Sequence, residues 1–352
     1  MKEKKWGFLV LLLVIALAGG YMYWTKQTPE KVEISGFIGG EKIPLVENQN
    51  FKDKVKKSYG LSMDYRKDGS LAMAEADTEG KDYLWPSSQL ALELFRKHGG
   101  KDLQNEIVFN TPIVLYSRKL VVDALIKEGI VRADEGVHYI DMVKLANLMV
   151  EEKTWDDIGL GELYGPILVD TTDPNQSNSG NMFLGLLANA LNGNKPVTMA
   201  SIDNVSSEIE RIYNQIGYMQ TSSIDMFNQF LRQGLGSFPI IAGYESQLLE
   251  FSKQEPEMYD KIKDDVIILY PEPTVWSSHV YIALTENGKV GLNALMDKDI
   301  QALAWKEHGF RTIVAGTENP EDFQVKGMAN QVTKIMQMPN IEVMQELMEI
   351  IK

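Results

Sequence analysis

The 352-residue chain contains no cysteine. This absence excludes disulfide bonds, zinc–thiolate sites, cysteine nucleophiles and a lipid tether on an N-terminal cysteine. The chain is also poor in positive charge: 35 Lys and Arg residues against 49 Asp and Glu residues leave a formal net charge of −14. Broad nucleic-acid binding needs a positive face that displaces counterions, so we expect no nucleic-acid partner.

Recognisable catalytic and metal-binding motifs are missing as well. The sequence has no G-x-S-x-G elbow, no phosphate-binding G-x-x-x-x-G-K-[ST] loop, no H-E-x-x-H pair and no D-x-D-x-D-G calcium loop. Of the four histidines, His279 lies in an extended segment expected near a cleft. We therefore predict that the protein is not an enzyme and uses no cofactor or metal. An enzyme built on the same scaffold is the alternative.

One long apolar run stands at the N-terminus. Residues 6–24 carry no charged side chain and follow a short lysine-rich start. A helix of this length spans roughly 28 Å, close to the thickness of a bilayer core, and the preceding lysines favour a cytoplasmic N-terminus. We predict a signal anchor over 1–26 that holds the rest of the chain on the extracytoplasmic face of the cell membrane. The alternative is a secreted protein with a cleaved signal peptide, for which Ala16-Leu17-Ala18 offers a cleavage site.

Strand-like and helix-like segments alternate after a short polar linker over 27–31. An extended stretch at 60–66, for example, is followed by Gly69-Ser70 and then by helix formers at 71–76. Such strand–turn–helix units are typical of open α/β sheets, so we predict an α/β fold with largely parallel sheets. Further predicted elements are a strand at 167–169 and helices at 294–308 and 327–351.

The length of the chain favours two lobes, because it is at least twice that of a common domain. Two long extended segments, 107–117 and 266–284, are candidates for crossings between the lobes. Two connecting strands would allow the lobes to close on a ligand. The predicted lobes are 32–112 plus 275–352 and 113–274.

Four small, hydroxyl-rich turns follow predicted strands. They are Ser35-Gly36, Gly69-Ser70, Ser87-Ser88 and Ser177-Asn178-Ser179-Gly180. In open α/β sheets, ligands gather beyond the carboxyl ends of the strands, where helix N-termini offer unpaired N–H groups. Each turn taken alone is also compatible with an ordinary helix cap or β-turn. The densest polar cluster is the loop 173–181, which we predict to contact the ligand.

Several tracts together resemble one protein family. They are 154–158 (TWDDI), 173–180 (DPNQSNSG), 243–246 (GYES), 270–274 (YPEPT) and 308–311 (HGFR). In this order and spacing they resemble type 2 extracellular solute-binding proteins, and in particular the molybdate- and sulfate-type branch of the substrate-binding proteins of ABC transporters.

The resemblance implies a two-lobed Venus-flytrap fold. Its cleft would capture a small anionic or polar solute, such as an oxyanion, and present it to a membrane partner such as an ABC transporter. A membrane-tethered sensor or assembly component with the same fold is the alternative. The ligand contacts that the resemblance implies are Ser35, Gly36, Ser70 and Ser88 in lobe one, and Ser177, Ser179 and Tyr244 in lobe two, with Glu245 nearby.

Overall fold

The computed structural model describes residues 29–352, so the predicted anchor over 1–26 lies outside the described residues. Within 29–352, no helix is both long enough and apolar enough to cross a membrane.

The strands in the described range are β1 (Val32–Ile38), β2 (Leu61–Lys67), β3 (Tyr83–Trp85), β4 (Gln104–Arg118), β5 (Val131–Asp134), β6 (Val137–Ile140), β7 (Ile240–Tyr244), β8 (Val266–Pro271), β9 (Trp276–Ala283) and β10 (Arg311–Thr312). The α-helices are α1 (Ile43–Glu47), α2 (Gln49–Tyr59), α3 (Ser70–Glu75), α4 (Gln89–Lys97), α5 (Lys119–Lys127), α6 (Met142–Val150), α7 (Asn178–Leu191), α8 (Ser206–Ile216), α9 (Ser223–Gln233), α10 (Glu245–Gln254), α11 (Pro256–Ile262), α12 (Glu286–Leu295), α13 (Lys298–His308) and α14 (Ile341–Ile350).

Two sheets share the long strand β4. The first sheet has the order β2-β1-β3-β9-β4, with β10 on the other side of β4. The second sheet has the order β7-β4-β8-β6-β5. The exchange of partners is abrupt, because Pro112 of β4 pairs with Trp276 of β9 whereas Ile113 pairs with Tyr244 of β7. The predicted lobe boundaries at 112 and 275 lie beside this exchange.

The prediction of largely parallel sheets is wrong. Only β1 with β2, β1 with β3, and β6 with β8 run parallel among the described strand pairs. The strands that carry the chain between the sheets, β4 and β9, are antiparallel to each other and to their other neighbours. A strand that leaves one sheet and a strand that returns to it must run in opposite directions, so two side-by-side crossings make the centre of the molecule antiparallel.

Most other predicted elements are present, with two corrections. Residues 167–169 are extended but form no strand, because only single bridges at Pro166 and Asp170 tie this segment to its neighbours. The helix predicted over 327–351 exists only as α14. The stretch before it runs beside Thr274, whose backbone bonds to Lys334 and Met336, and this pairing replaces helical bonds.

The C-terminal helix α14 packs against α7 and α8 as well as against α4. It therefore contacts helices from both predicted lobes, although the prediction assigned 275–352 to lobe one alone. Helix α7 is buried along almost its whole length and joins the largest apolar core of the chain. This packing fixes the N-terminus of α7. Ser177 and Asn178, at that N-terminus, belong to the candidate site described below.

Candidate functional site

A cavity of about 260 Å³ lies between loops from the two sheets. Its wall is formed by 39–41, 67–70, 176–178, 221–224 and Tyr244. The first two segments follow β1 and β2, and Tyr244 ends β7, so the cavity lies at carboxyl ends of strands. The remaining two segments contain the starts of α7 and α9. Residues from both predicted lobes therefore surround one small polar space.

A larger groove, of about 800 Å³, lies beside α2. The residues that line it fall between Pro29 and Met63, so they come from one side of the molecule only. Closure of two lobes cannot enclose a ligand there, and the smaller cavity is the better candidate.

Three of the predicted contact residues, Ser70, Ser177 and Tyr244, line the cavity. A fourth, Ser179, lies directly behind the wall and is almost fully buried. Its Oγ is 3.1 Å from Ser177 Oγ and 2.7 Å from Thr172 Oγ1. The structure thus brings four of the predicted residues together, although Ser70 lies more than a hundred positions from the other three in the sequence.

Ser35 and Gly36 lie elsewhere, inside β1. The turn predicted at these residues is wrong, because β1 continues to Ile38. The backbone N–H of Ser35 donates to Asp82 Oδ2 at 2.9 Å. A side chain at Gly36 would overlap Tyr83 of the neighbouring strand, so glycine is needed there for sheet packing. The turn at the true end of β1 contains Gly39 and Gly40, which do line the cavity.

Ser88 and Glu245 also do not line the cavity. Ser88 caps α4, and its Oγ accepts a hydrogen bond from the N–H of Leu90 at 3.1 Å. Both carboxylate oxygens of Glu245 accept hydrogen bonds from Arg311, at 2.7 Å each, and Tyr270 Oη donates to one of them at 2.6 Å. Both oxygens of this carboxylate therefore already have hydrogen-bond partners inside the protein.

The sequence interpretation missed a buried charged cluster behind the cavity wall. Lys42 is fully buried, and its Nζ donates to Ser87 Oγ at 2.6 Å and lies 3.2 Å from His279 Nδ1. Lys42 also pairs with Glu41, and Ser87 Oγ donates to the same carboxylate oxygen, Oε1. The only sequence signal was the pair of glycines before Glu41, which marks the end of β1.

The electrostatics of this cluster favour an ionised Glu41, a protonated Lys42 and a neutral His279. Burial by itself would raise the pKa of Glu41, but the ammonium of Lys42 and the hydrogen bonds from Lys42 and Ser87 lower it below its ordinary value. Burial lowers the pKa of Lys42, and Glu41 opposes that shift. Burial and the charge of Lys42 hold the pKa of His279 well below its ordinary value, so its Nδ1 accepts and Nε2 carries the proton.

Asn178 connects the two sides of the cavity. Its Nδ2 donates to the carbonyl oxygen of Ser87 at 3.1 Å, and lies 3.0 Å from Tyr244 Oη and 3.2 Å from Ser277 Oγ. Because a carbonyl oxygen only accepts, the amide is oriented with Nδ2 toward Ser87. The Asn178 Oδ1 atom is buried and has no hydrogen-bond partner within residues 29–352.

Sequence comparison matches the chain to no protein-family profile and to no curated protein. Comparison of structures does find similar folds. The periplasmic binding protein AfuA from Actinobacillus pleuropneumoniae, with exogenous fructose-6-phosphate bound, has a TM-score of 0.58 and 12% identity over 92% of this chain and 97% of that chain.

Two further structural neighbours bind different solutes. IdiA (FutA) from Trichodesmium, in complex with iron and citrate, has a TM-score of 0.56 and 12% identity over 90% of this chain and 98% of that one. The sulfate-binding protein SubI from Mycobacterium tuberculosis has a TM-score of 0.53 and 14% identity over 89% of this chain and 96% of that one. The chain therefore has the fold of type 2 periplasmic solute-binding proteins.

Proposed function

We propose that this protein is an extracytoplasmic solute-binding protein without catalytic activity of its own. The observation that carries the proposal is the polar cavity, whose wall combines segments from both sheets beside the point where β4 changes sheets. A ligand there contacts both lobes at once and stabilises their closed arrangement, because it binds that arrangement better than an open one.

The contacts proposed for the ligand are Ser70, Ser177, Asn178 and Tyr244, with Ser179 positioning Ser177 from behind. Hydroxyl and amide groups of this kind hydrogen-bond a polar solute without requiring a cationic side chain. The fold neighbours support binding of a small solute in general. The solutes of these neighbours include a sugar phosphate, iron with citrate, and sulfate, and they do not single out the molybdate- and sulfate-type branch that the sequence tracts resemble.

We further propose that residues 1–26 hold the protein at the membrane, where it presents solute to a partner such as an ABC transporter. Two sequence features support this proposal: the uncharged run over 6–24, and the absence of the cysteine that a lipid tether would need. Mass spectrometry of the mature protein tests the anchor directly. A mature N-terminus near Gly19 would contradict it and favour a cleaved signal peptide.

Solute binding is tested by thermal melting of the full-length protein in mild detergent, followed by intrinsic fluorescence. A specific solute at 100 times its Kd should add about 2.7 kcal/mol to the stability and raise the Tm by mass action. Ser177→Ala should reduce this shift, whereas Ser207→Ala, an exposed serine on α8, should not. If no solute from a broad panel raises the Tm, or if both variants behave alike, the proposed function or its site is wrong.

A further inference from the structure

Lys67 brings an unmatched positive charge to the cavity wall. It is the last residue of β2, and its side chain is exposed and lines the cavity. Within residues 29–352 it has no carboxylate partner, whereas Lys42, Lys52 and Lys54 each have one. Enclosing a solute beside this ammonium removes water from it, which is costly for a charge without a partner.

The two carboxylates on the same wall are held by other groups. Glu41 accepts two hydrogen bonds from the buried cluster behind the wall, both through Oε1. Asp68 Oδ1 accepts the backbone N–H of Gly69 at 2.9 Å. Neither carboxylate forms an ion pair with Lys67. A solute with an anionic group would therefore give this ammonium its partner, whereas an uncharged solute would enclose it without one.

Gly40 makes room for the end of the Lys67 side chain. A methyl group on Gly40 would lie 2.8 Å from Lys67 Cε and 3.4 Å from Nζ, so the lysine passes directly across this glycine. The backbone of Gly40 is not in the left-handed region, so the position requires space and not a special conformation. Because Gly40 is itself part of the wall, the ammonium lies against the cavity.

The facing wall adds a partial positive charge. Helix α7 has 14 residues, and the side chain of its N-cap Ser177 makes no capping hydrogen bond. The first N–H groups of a helix have no partner within it and favour an anion. A methyl group on Gly69 would lie 2.8 Å from the carbonyl oxygen of Gln176, so the loop after Lys67 touches the loop before α7. Lys67 and the start of α7 thus border one space from two sides.

Resting on the solute-binding function proposed above, we infer that Lys67 determines specificity by pairing its ammonium with a carboxylate or phosphate group of the solute. The hydroxyl and amide contacts proposed above hydrogen-bond charged and uncharged polar solutes alike. Lys67 is the group on this wall that distinguishes a solute carrying an anionic group from its uncharged counterpart.

Probes that differ in charge test this inference on the full-length protein in mild detergent. Each solute that raises the Tm in the panel above is compared by calorimetry with its counterpart of different charge. The first pairs are fructose 6-phosphate with fructose, which tests a phosphate, and succinate with succinamide, which tests a carboxylate. The anionic member should bind at least about tenfold more tightly.

The other outcomes separate the inference from the function on which it rests. Equal or tighter binding of the uncharged members, or binding of organic ammonium compounds alone, would overturn the inference and leave solute binding intact. No binding by any solute of the panel would overturn the proposed function itself.

Variants of Lys67 test the contact. Lys67→Met removes the charge and keeps a long side chain, so it should weaken binding of the anionic member at least about tenfold and leave the uncharged member unchanged. Lys67→Arg keeps the charge and should retain more affinity than Lys67→Met. Lys57→Met, at an exposed lysine on α2, is the control. An unchanged charge preference in Lys67→Met would overturn the role of Lys67.

Gly40→Ala tests the position of the ammonium without removing it. The added methyl group displaces the flexible end of Lys67 and should lower the affinity for the anionic member, while the Tm without solute stays close to that of the parent. Gly236→Ala, which meets no atom within 4 Å, is the matched control. Full affinity in Gly40→Ala would show that the ammonium does not act from the place where the structure holds it.

Discussion

Glu245 and Arg311 form a buried, two-pronged ion pair across the place where the two sheets meet. Arg311 Nε donates to Glu245 Oε2 and Arg311 Nη2 donates to Oε1, both at 2.7 Å. Arg311 begins β10, which pairs with the part of β4 in the first sheet, and Glu245 follows β7, which pairs with the part in the second sheet. The pair therefore connects the two sheets beside the crossing strands.

Arg311→Met should destabilise the protein by about 3–5 kcal/mol, because it leaves the Glu245 charge buried without its partner. The side chains are only 7% and 0% exposed, so water cannot replace the lost contact. Urea unfolding measures the change. Arg232→Met, at an exposed arginine, should change the stability by less than about 0.5 kcal/mol.

The double variant Glu245→Gln/Arg311→Met should recover part of that stability, since no unpaired charge stays buried. Equal stability of the single variant and of the Arg232→Met control would show that the ion pair has no structural role.

Asn178→Ala should loosen the contact between the two sides of the cavity. The amide Nδ2 has two hydrogens and three acceptors within reach, two of them in the segment 32–112 plus 275–352. Its loss should reduce the stability by about 1–2 kcal/mol. Small-angle scattering without solute should also show a larger radius of gyration. Asn204→Ala, at an exposed asparagine, is the control, and an unchanged radius in the Asn178→Ala variant would contradict this role.

Asp170 should make stability fall as the pH rises. Burial raises the pKa of its carboxyl to about 7 from an ordinary 3.8. The folded state then binds the proton more tightly than the unfolded state, so the stabilisation present below pH 3.8 is lost as the pH rises toward 7.

Asp170→Asn should therefore be more stable than the parent at pH 8, by roughly 1–3 kcal/mol, and nearly equal to it at pH 4. Urea unfolding at the two pH values measures this difference, with the exposed Asp203→Asn variant for comparison. A variant that is less stable than the parent at pH 8 would refute the prediction.

Gly180→Ala should disturb the start of α7. A methyl group there would overlap the carbonyl oxygen of Thr172, which belongs to the backbone and cannot rotate away. We expect a loss of about 1–3 kcal/mol and weaker solute binding, since Ser177 and Asn178 would shift with the helix. Gly236→Ala meets no atom within 4 Å and should be nearly neutral. Similar melting of both variants would show that the close approach is unimportant.

Local patterns explain which elements could be predicted. The extended stretch at 60–66 and the helix formers at 71–76 correspond to β2 (Leu61–Lys67) and α3 (Ser70–Glu75), because periodicity and turn residues are local signals. The turn at Ser87-Ser88, which the sequence left compatible with an ordinary helix cap, does cap a helix through Ser88. Residues 327–340 misled the prediction, since their helix-forming composition is outweighed by pairing with a segment around Thr274 that is distant in sequence.

A turn assigned inside a strand explains the missing part of the site. Treating Ser35-Gly36 as a turn placed the predicted contact within β1, which runs to Ile38, and left Glu41 and Lys42 unnoticed. A lysine in a sequence is also expected to be exposed, because charged side chains are rarely buried without a partner. The partners of Lys42 include Ser87 and His279, and the sequence around Lys42 does not indicate either of them.

The sequence by itself determined the acidic charge, the absence of thiol chemistry, the apolar N-terminal run and the alternation of strands and helices. These are properties of the amino-acid composition and of short stretches of the sequence. Only the tertiary structure decided that Glu41 meets His279, that Asn178 meets Ser87 and that Glu245 meets Arg311. Such pairs form when strands far apart in the chain come together, and a contact between distant residues leaves no periodic pattern in one sequence.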